Sequence, residues 1–200
     1  MAPKISEEAK EEKRVALLNS ALECFSKKGY YATSVDDVVT YSKLSKGSFY
    51  NYFKSKEEIF INLMQYQTEK SQEALSKKLN EIPSPTEKIK YMINLDLPMN
   101  LYKKKLMRVH LEFWMYSADN PEIKEVMVNR FNHIIENTKA ILKEGKDKRE
   151  FREDLDIDNA ASMFWGLHDG IWIHTLVLDD KEIFEAKIKE FETTFLRYIK

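Results

Sequence analysis

Cysteine is almost absent from this sequence, since Cys24 is the only one in 200 residues. A single cysteine excludes an intrachain disulfide and a thiolate metal cluster. Its place in an apolar helical stretch predicts a buried thiol. Glycine and proline are also scarce, at five residues each, which is too few for a fold built on many hairpin turns. The sequence contains no strand pattern and no internal repeat.

Long apolar runs are absent as well. No stretch approaches the roughly 18 residues of a membrane span, and the charged N-terminus has no hydrophobic signal segment. We therefore expect a cytoplasmic protein with no membrane partner. A charge imbalance is missing too, because 32 Lys and Arg face 33 Asp and Glu, for a net charge of −1. Any surface for nucleic acid must then be a local patch.

The abundant residues favour helices. Apolar residues make up 43% and charged residues 32% of the chain, and the long segments are rich in Leu, Lys, Glu, Ala and Met. We predict an all-α fold of about nine helices from apolar positions at three- and four-residue spacing between capping signals. The longer helices are expected at about 6–28, 56–80, 106–117, 121–144, 157–178 and 180–199. Gly145 should stop the helix before it, and Pro98 should kink or break another.

Residues 34–53 have the pattern of two short helices joined by a tight turn. Ser34 and Asp37 form a capping-box signature for the first helix, and Ser45 can cap the second. The second helix is too short and polar to be stable alone. It presents Ser45, Lys46, Ser48 and Asn51, which are residue types that contact phosphates and base edges. From spacing alone, a DNA-binding helix-turn-helix and an ordinary helical hairpin are equally good interpretations.

The flanking residues distinguish these two interpretations. The chain reads Phe25-Ser-Lys-Lys-Gly29-Tyr30, then Thr33-Ser34-Val35-Asp-Asp-Val38, then Ser45-Lys46-Gly47-Ser48-Phe49-Tyr50-Asn51-Tyr52-Phe53 and Lys54-Ser55-Lys56-Glu57-Glu58-Ile59. These runs resemble, in order and spacing, the signature of the tetracycline-repressor (TetR) family of bacterial transcription regulators. The resemblance covers about residues 10–60 without a gap.

One segment departs from the family pattern. Where the family has small residues and a glycine before the turn, this chain has Thr40-Tyr41-Ser42-Lys43. Lys43 is therefore expected to adopt a left-handed conformation at some energetic cost. Tyr41 is expected to alter how the second helix is seated.

The resemblance implies a helix-turn-helix DNA-binding domain of three helices at 1–55 and a larger effector-binding and dimerisation domain at 56–200. Thr33 and Ser34 can hold a phosphate at a helix N-terminus, and Lys46 and Asn51 can pair with guanine and adenine. Tyr52 and Lys56 correspond to phosphate-contacting positions of the family. The full expected DNA-binding set is Thr33, Ser34, Lys43, Ser45, Lys46, Gly47, Ser48, Tyr50, Asn51, Tyr52 and Lys56.

The family layout also implies a homodimer, a double-stranded operator of pseudo-palindromic sequence and a small effector. The helix at 157–178 is apolar on nearly all sides, so it should be buried on two sides. The expected dimer contacts are Gly166, Gly170, Ile173, Val177, Phe184, Ile188, Phe191 and Phe195. The alternative for the two glycines is relief of crowding inside one protomer.

A hydrophobic or aromatic effector is expected from the large, adaptable side chains of the middle helices. The expected pocket residues are Met92, Met99, His110, Phe113, Trp114, Met127, Phe131, Phe164, Trp165 and His168, and the alternative for each is a place in the core. Glu112, Asn137 and Asp169 are further polar groups that can orient a ligand.

Signatures of enzymes are missing from the sequence. There is no Glu-x-x-His pair for a di-iron site, no Gly-rich phosphate loop and no Gly-x-Ser-x-Gly element. We therefore expect no catalytic residues, no metal and no cofactor, and the resemblance to the TetR family implies a ligand-responsive repressor. The rival interpretation is a helical ligand-binding or scaffold protein that has lost DNA binding. The intact run from Ser45 to Phe53 argues against that rival.

Overall fold

The computed structural model describes residues 6–200, and of Glu122 it describes the backbone only. These residues form nine α-helices and no strand, which confirms the predicted fold class. The helices are α1 (Glu7–Lys28), α2 (Val35–Ser42), α3 (Lys46–Tyr50), α4 (Lys56–Asn80), α5 (Pro85–Ile93), α6 (Leu101–Ala118), α7 (Pro121–Asp147), α8 (Ile157–Leu178) and α9 (Lys181–Ile199). No helix in this part of the chain is long and apolar enough to cross a bilayer.

Most helix starts follow from local capping chemistry. Ser84 precedes α5 and accepts a hydrogen bond from the Glu87 amide, with Pro85 in the first turn. The Ser55 hydroxyl accepts from the Glu58 amide at 3.0 Å, where α4 begins. Because these signals lie within three residues of each helix start, they were readable from the sequence.

Two predicted boundaries are wrong. Helix α6 begins at Leu101 and not near residue 106. Helix α7 continues through Gly145 to Asp147 instead of stopping at the glycine. The glycine serves close packing, because a Cβ built there would lie 2.0 Å from two ring carbons of Phe151. The expected break at Pro98 is confirmed, since α5 ends at Ile93 and α6 begins at Leu101.

The chain divides into two compact units. The N-terminal unit contains the described residues up to Gln72 together with Lys105–Asn120 of α6, and the C-terminal unit contains Glu73–Lys104 and Pro121–Lys200. This division by packing does not follow the expected boundary at residue 55, because part of α4 and most of α6 pack with the first three helices. The functional division into 1–55 and 56–200 stays a prediction.

The core of the N-terminal unit is built around aromatic rings. The ring of Phe60 on α4 lies 5.0 Å from Phe25 on α1 and 5.0 Å from Phe113 on α6, measured between centroids. The Tyr30 ring stacks on Phe60 at 4.4 Å. These edge and stacked contacts bury large apolar surfaces and fix three helices around one side chain.

The C-terminal unit has its own core between α5, α7, α8 and α9. Its fully buried aromatic residues include Phe164, Phe184 and Phe195. The ring of Phe164 on α8 lies 5.3 Å from both Phe191 and Phe195 on α9. The apolar stripe of α9 therefore packs inside its own protomer.

Candidate nucleic-acid interface and buried polar cluster

The N-terminus of α2 is shaped by reciprocal capping. The Ser34 hydroxyl accepts from the Asp37 amide at 3.1 Å, and the Asp37 carboxylate accepts from the Ser34 amide at 2.9 Å. Hydrogen bonds from Lys28 and then from the Ser34 amide and hydroxyl lower the pKa of the Asp37 carboxyl well below its ordinary value. Ser34 itself stays exposed at the helix start, as the expected phosphate contact requires.

Thr33 does not have the role expected from the sequence. Its side chain is only 2% exposed, and its hydroxyl donates to the Gly29 carbonyl at 2.7 Å. The hydroxyl therefore stabilises the link between α1 and α2 and is not available to a phosphate. The neighbouring polar types at 33 and 34 look alike in sequence, and only burial separates them.

The turn between α2 and α3 depends on Lys43. This residue has φ of 58° and ψ of 18°, which is the left-handed conformation predicted from the missing glycine. The Ser42 hydroxyl supports the turn by accepting from the Leu44 amide at 3.2 Å. Lys43 points its charge outward, since it is exposed.

Helix α3 is held by two apolar anchors and presents polar groups outward. Phe49 is fully buried and Phe53 is 2% exposed. The helix has five residues, and its cap Ser45 accepts from the Ser48 amide at 3.1 Å. The outward residues are Ser45, Lys46, Gly47, Tyr50 and Asn51, all exposed, and Ser48, which is half-buried. Tyr50 is 51% exposed and lies at the surface.

Lys46 is charged and already oriented by a neighbour. Its Nζ lies 2.8 Å from the Asp36 carboxylate, and its side chain is 55% exposed. The hydrogen bond to Asp36 raises the pKa of the Lys46 ammonium. An exposed pair of this kind is weak, so a phosphate or a guanine can displace Asp36 at low cost.

Tyr52 and Lys56 are the remaining expected phosphate contacts. Tyr52 is half-buried. The Lys56 Nζ donates to the Tyr30 carbonyl at 2.8 Å and to the Tyr31 carbonyl at 3.2 Å, and it lies 4.5 Å from the Tyr30 ring centroid. Burial lowers the pKa of Lys56. Its ammonium is thus committed to the α1–α2 link, contrary to the expected phosphate contact.

Two contacts in this region were not predicted, and one of them gives Glu112 a role other than the expected orientation of a ligand. Lys27 places its ammonium 5.0 Å from the Tyr41 ring centroid, beside the turn, and Tyr41 is 48% exposed. Glu112 on α6 accepts from the Tyr30 amide at 2.5 Å across 82 residues of sequence. The contact between Lys27 and Tyr41 could have been predicted, because Tyr41 is unusual at its position. No local sequence pattern predicts the contact between Glu112 and Tyr30.

The expected effector residues separate between the two units. His110, Phe113 and Trp114 belong to the N-terminal unit, and the other seven belong to the C-terminal unit. Phe113 is 1% exposed and packs on Phe60, so it is a core residue. Lys105 and Tyr116 of the same α6 segment contact Glu23 and Glu57, at 2.6 Å and 3.0 Å.

Core packing also accounts for part of the set in the C-terminal unit. Met92 and Phe164 belong to its buried apolar cluster, and Met127 is 5% exposed. Met99, Phe131 and Trp165 are half-buried. The Trp165 indole N–H donates to the Thr138 hydroxyl at 2.9 Å, which joins α8 to α7.

A buried polar cluster surrounds His168. Its Nε2 lies 3.2 Å from the Asp96 carboxylate and its Nδ1 lies 3.2 Å from the Asp169 carboxylate. The Trp172 indole N–H donates to the same Asp96 oxygen at 2.5 Å. Burial alone lowers the pKa of His168, but the hydrogen bonds to Asp169 and Asp96 outweigh it and raise the pKa to about 9. Asp96 was missed, although a lone carboxylate between Leu95 and Leu97 is a usable signal.

The expected dimer residues fall into two groups. Phe184, Ile188, Phe191 and Phe195 are at most 4% exposed within one protomer, so the structure corrects their assignment: they form the core instead. On α8, Ile173 is 40% and Val177 is 78% exposed. A Cβ built at Gly166 or Gly170 would meet nothing within 4 Å, so these glycines do not relieve crowding inside the protomer. One face of α8 therefore stays open.

Comparison with known proteins gives two matching family descriptions that together span most of the chain. Residues 17–63 match the bacterial regulatory proteins of the tetR family, and residues 85–196 match the C-terminal part of BetI-type transcriptional repressors. An uncharacterized HTH-type transcriptional regulator of Bacillus subtilis, YfiR, is 25% identical over 199 residues, covering all of this chain and 97% of that protein.

Solved structures share the fold. A putative transcriptional regulator from Saccharomonospora viridis in complex with choline superposes with a TM-score of 0.85 at 20% identity, covering 94% of this chain and 98% of that one. FadR from Bacillus subtilis in complex with stearoyl-CoA superposes with a TM-score of 0.79 at 22% identity, covering 93% and 99%. At these identities the likeness concerns the fold, and the two ligands belong to those proteins.

Proposed function

The chain belongs to the TetR family of bacterial transcription regulators, and we propose that it binds a pseudo-palindromic operator as a homodimer and leaves it when a small effector binds. As a DNA-binding regulator it acts in the cytoplasm on double-stranded DNA and is not an enzyme. The observation that supports the proposal most is the structure of α3. Its polar side chains are exposed, while the rings of Phe49 and Phe53 are buried and anchor it.

Helix α3 has the chemistry to enter a major groove. Lys46 can donate to guanine, Asn51 can pair with adenine, and Gly47 lets the backbone come close because only the Ser45 hydroxyl lies near its missing Cβ, at 3.9 Å. Ser34 lies exposed at a helix N-terminus, and its hydroxyl, which donates to the Asp37 carboxylate at 2.8 Å, would exchange that partner for a phosphate. Thr33 and Lys56 support this surface from beneath instead of contacting DNA.

The open face of α8 is the proposed dimer contact. Gly166 and Gly170 let a second helix approach closely, and Ile173 and Val177 supply apolar area around them. A self-complementary contact of this kind pairs two protomers around a two-fold axis. Such a dimer presents two copies of α3, one for each operator half-site.

The effector is proposed to bind in the C-terminal unit. That unit contains half-buried Met99, Phe131 and Trp165 and the polar cluster around His168. The structural relatives that carry choline and stearoyl-CoA show that the fold can hold either a small cation or a long acyl chain. Fold likeness alone therefore leaves the effector class open for this chain.

Chain continuity offers a route from effector to DNA. Helices α4 and α6 each begin in one unit and end in the other. Within the N-terminal unit, Glu112 of α6 and Lys56 of α4 bind the amide and carbonyl of the same residue, Tyr30. A shift of either helix would move the link that leads into α2, so effector binding can favour a conformer with a different α3 position.

The test is a gel shift on the intergenic DNA upstream of the protein's own gene, repeated at several salt concentrations. We expect a complex that survives non-specific competitor DNA and weakens steeply with salt, because phosphate contacts release counterions. A wider screen of genomic fragments follows if the upstream DNA is not bound. The absence of any sequence-specific complex in both experiments contradicts the proposal.

A further inference from the structure

Arg130 on α7 is an exception among the polar groups of the C-terminal unit. Its Nη1 is buried and has no hydrogen-bond partner among the residues that the structure describes. The other buried arginine atom without a hydrogen bond, Nε of Arg152, belongs to a guanidinium that lies 5.0 Å over the Tyr198 ring and near Asp154. The unused donor of Arg130 thus calls for an explanation of its own.

The neighbouring acceptors are already in use. Both nitrogens of His168 lie 3.2 Å from carboxylates, one on Asp96 and one on Asp169, and the Trp172 indole binds Asp96 as well. Asp169 acts on Arg130 through its charge, but its Oδ1 is the atom that faces His168. The unpaired group among the described residues of this region is therefore a cationic donor, the Nη1 of Arg130. The carboxylates already have cationic or N–H partners.

Arg130 as a residue is half-buried, but its Nη1 is removed from water, and an unmade hydrogen bond at a buried charged nitrogen is costly. Burial lowers the pKa of Arg130 to about 10, and the charge of Asp169 opposes this shift. The side chain is still charged at neutral pH. A buried charge without a full set of partners destabilises a fold, and such costs are found where a ligand supplies the missing partner.

We propose that Arg130 binds the anionic head group of the effector, a carboxylate or a phosphate, and that the effector is an anionic amphipath. This inference rests on the proposed function, because it names the ligand class of the effector-binding unit. A guanidinium suits both head groups, since its donors match two oxygens at once. The apolar body of such a ligand suits the half-buried Met99, Ile135 and Met163 of the same unit.

The experiment is a calorimetric titration of the full-length protein with four probes of equal chain length. Decanoate carries a carboxylate, and decanoyl-CoA has a thioester in its place and carries phosphates instead. Decyltrimethylammonium carries a cation, and decanol is neutral. We expect decanoate or decanoyl-CoA to bind at least about ten times more tightly than the cation and the alcohol. The stronger of the two anions identifies the head group.

Three variants locate the effect. Arg130→Gln should weaken the anionic probe roughly 10- to 100-fold and leave decanol unchanged, because it removes a charge-assisted hydrogen bond. Arg130→Lys should recover only part of the affinity. It keeps the positive charge but loses the two parallel N–H donors of the guanidinium. Arg149→Gln, at an exposed arginine of the same unit, is the control and should change nothing.

Thermal unfolding without ligand separates this role from a structural one. Arg130→Gln should keep or raise the unfolding temperature, because it removes a charged side chain whose buried Nη1 has no hydrogen-bond partner. A lowered temperature with equal losses for all probes, tightest binding of the cation, or binding of none of the four overturns the proposal. These titrations contain no DNA, so a protein that binds decanoate through Arg130 without leaving its operator would refute the proposed release and spare this inference.

Discussion

The two units of this protein use polar side chains in opposite ways. In the N-terminal unit, Ser34 and Ser45 cap short helices at the surface, and the polar row of α3 faces outward. In the C-terminal unit, Asp96 and His168 are 9% and 8% exposed and bind each other among aromatic rings. A surface that reads DNA must stay open to its partner, whereas a ligand site must remove its ligand from water. The difference in burial therefore matches the two proposed tasks.

The largest test of this contrast concerns α9. Phe195→Ala should lower the free energy of unfolding of the protomer by about 3–5 kcal/mol, because it empties a fully buried site. Val177→Ala is the matched control, since Val177 is 78% exposed on α8. It should leave protomer stability nearly unchanged and weaken the dimer. Chemical denaturation at two protein concentrations checks both expectations, and a purely concentration-dependent effect of Phe195→Ala would return α9 to the dimer interface.

The next test concerns the buried cluster. The pKa of His168 is raised to about 9 from an ordinary value of 6.5, so its stabilising contribution is complete below pH 6.5 and is lost as the pH rises through 9. We expect the wild type to lose about 3 kcal/mol of stability between these limits relative to His168→Gln. Urea denaturation at pH 6 and pH 9.5 measures this difference. Parallel pH profiles for the two proteins would mean that His168 is not held as a cation.

The third test concerns the open polar row. Lys46→Ala should weaken operator binding roughly 10- to 100-fold and reduce the salt dependence, since it removes one cation from the groove. Lys189→Ala, at an exposed position of α9, is the control for a lost surface lysine. Fluorescence anisotropy with a labelled operator measures both. Equal affinities for the two variants would remove Lys46 from the interface.

The smallest expected effect is on the stability of two backbone positions with a left-handed conformation, one in each unit. Lys43 and Arg149 have φ of 58° and 59°. Replacement of either by glycine should raise the free energy of unfolding by up to about 1 kcal/mol, because glycine adopts this conformation without steric cost. Thermal denaturation of the two variants checks the prediction. A loss of stability at position 43 alone would indicate that the Lys43 side chain contributes to the turn.

The sequence predicted the N-terminal unit well because its signals are local. Ser34 and Asp37 are three residues apart, and the left-handed Lys43 followed from one missing glycine. The burial of single residues was harder to predict, since Thr33 and Ser34 are similar in type but only Ser34 is exposed. The hydrogen bond from Tyr30 to Glu112 spans 82 residues, and no local pattern announces it.

The C-terminal unit was harder to predict for a physical reason. Periodicity on α9 establishes that one face is apolar, but it does not tell whether the partner surface lies in the same chain or in a second copy. The bond between Asp96 and His168 joins residues 72 positions apart, so it depends on the packing of α8 against the segment after α5. A glycine at position 145 predicts a helix stop, whereas in the structure its missing Cβ leaves room for the Phe151 ring.

The most direct measurement of the central claim is a hydroxyl-radical footprint on a DNA site selected from genomic fragments by the purified protein. We predict two protected half-sites about one helical turn apart, related by a pseudo-two-fold axis. Both should disappear in the double variant Lys46→Ala, Asn51→Ala, while this variant keeps its fold. Protection that persists unchanged in that variant, or a protein that selects no sequence at all, would contradict the assignment of α3 as the reading helix.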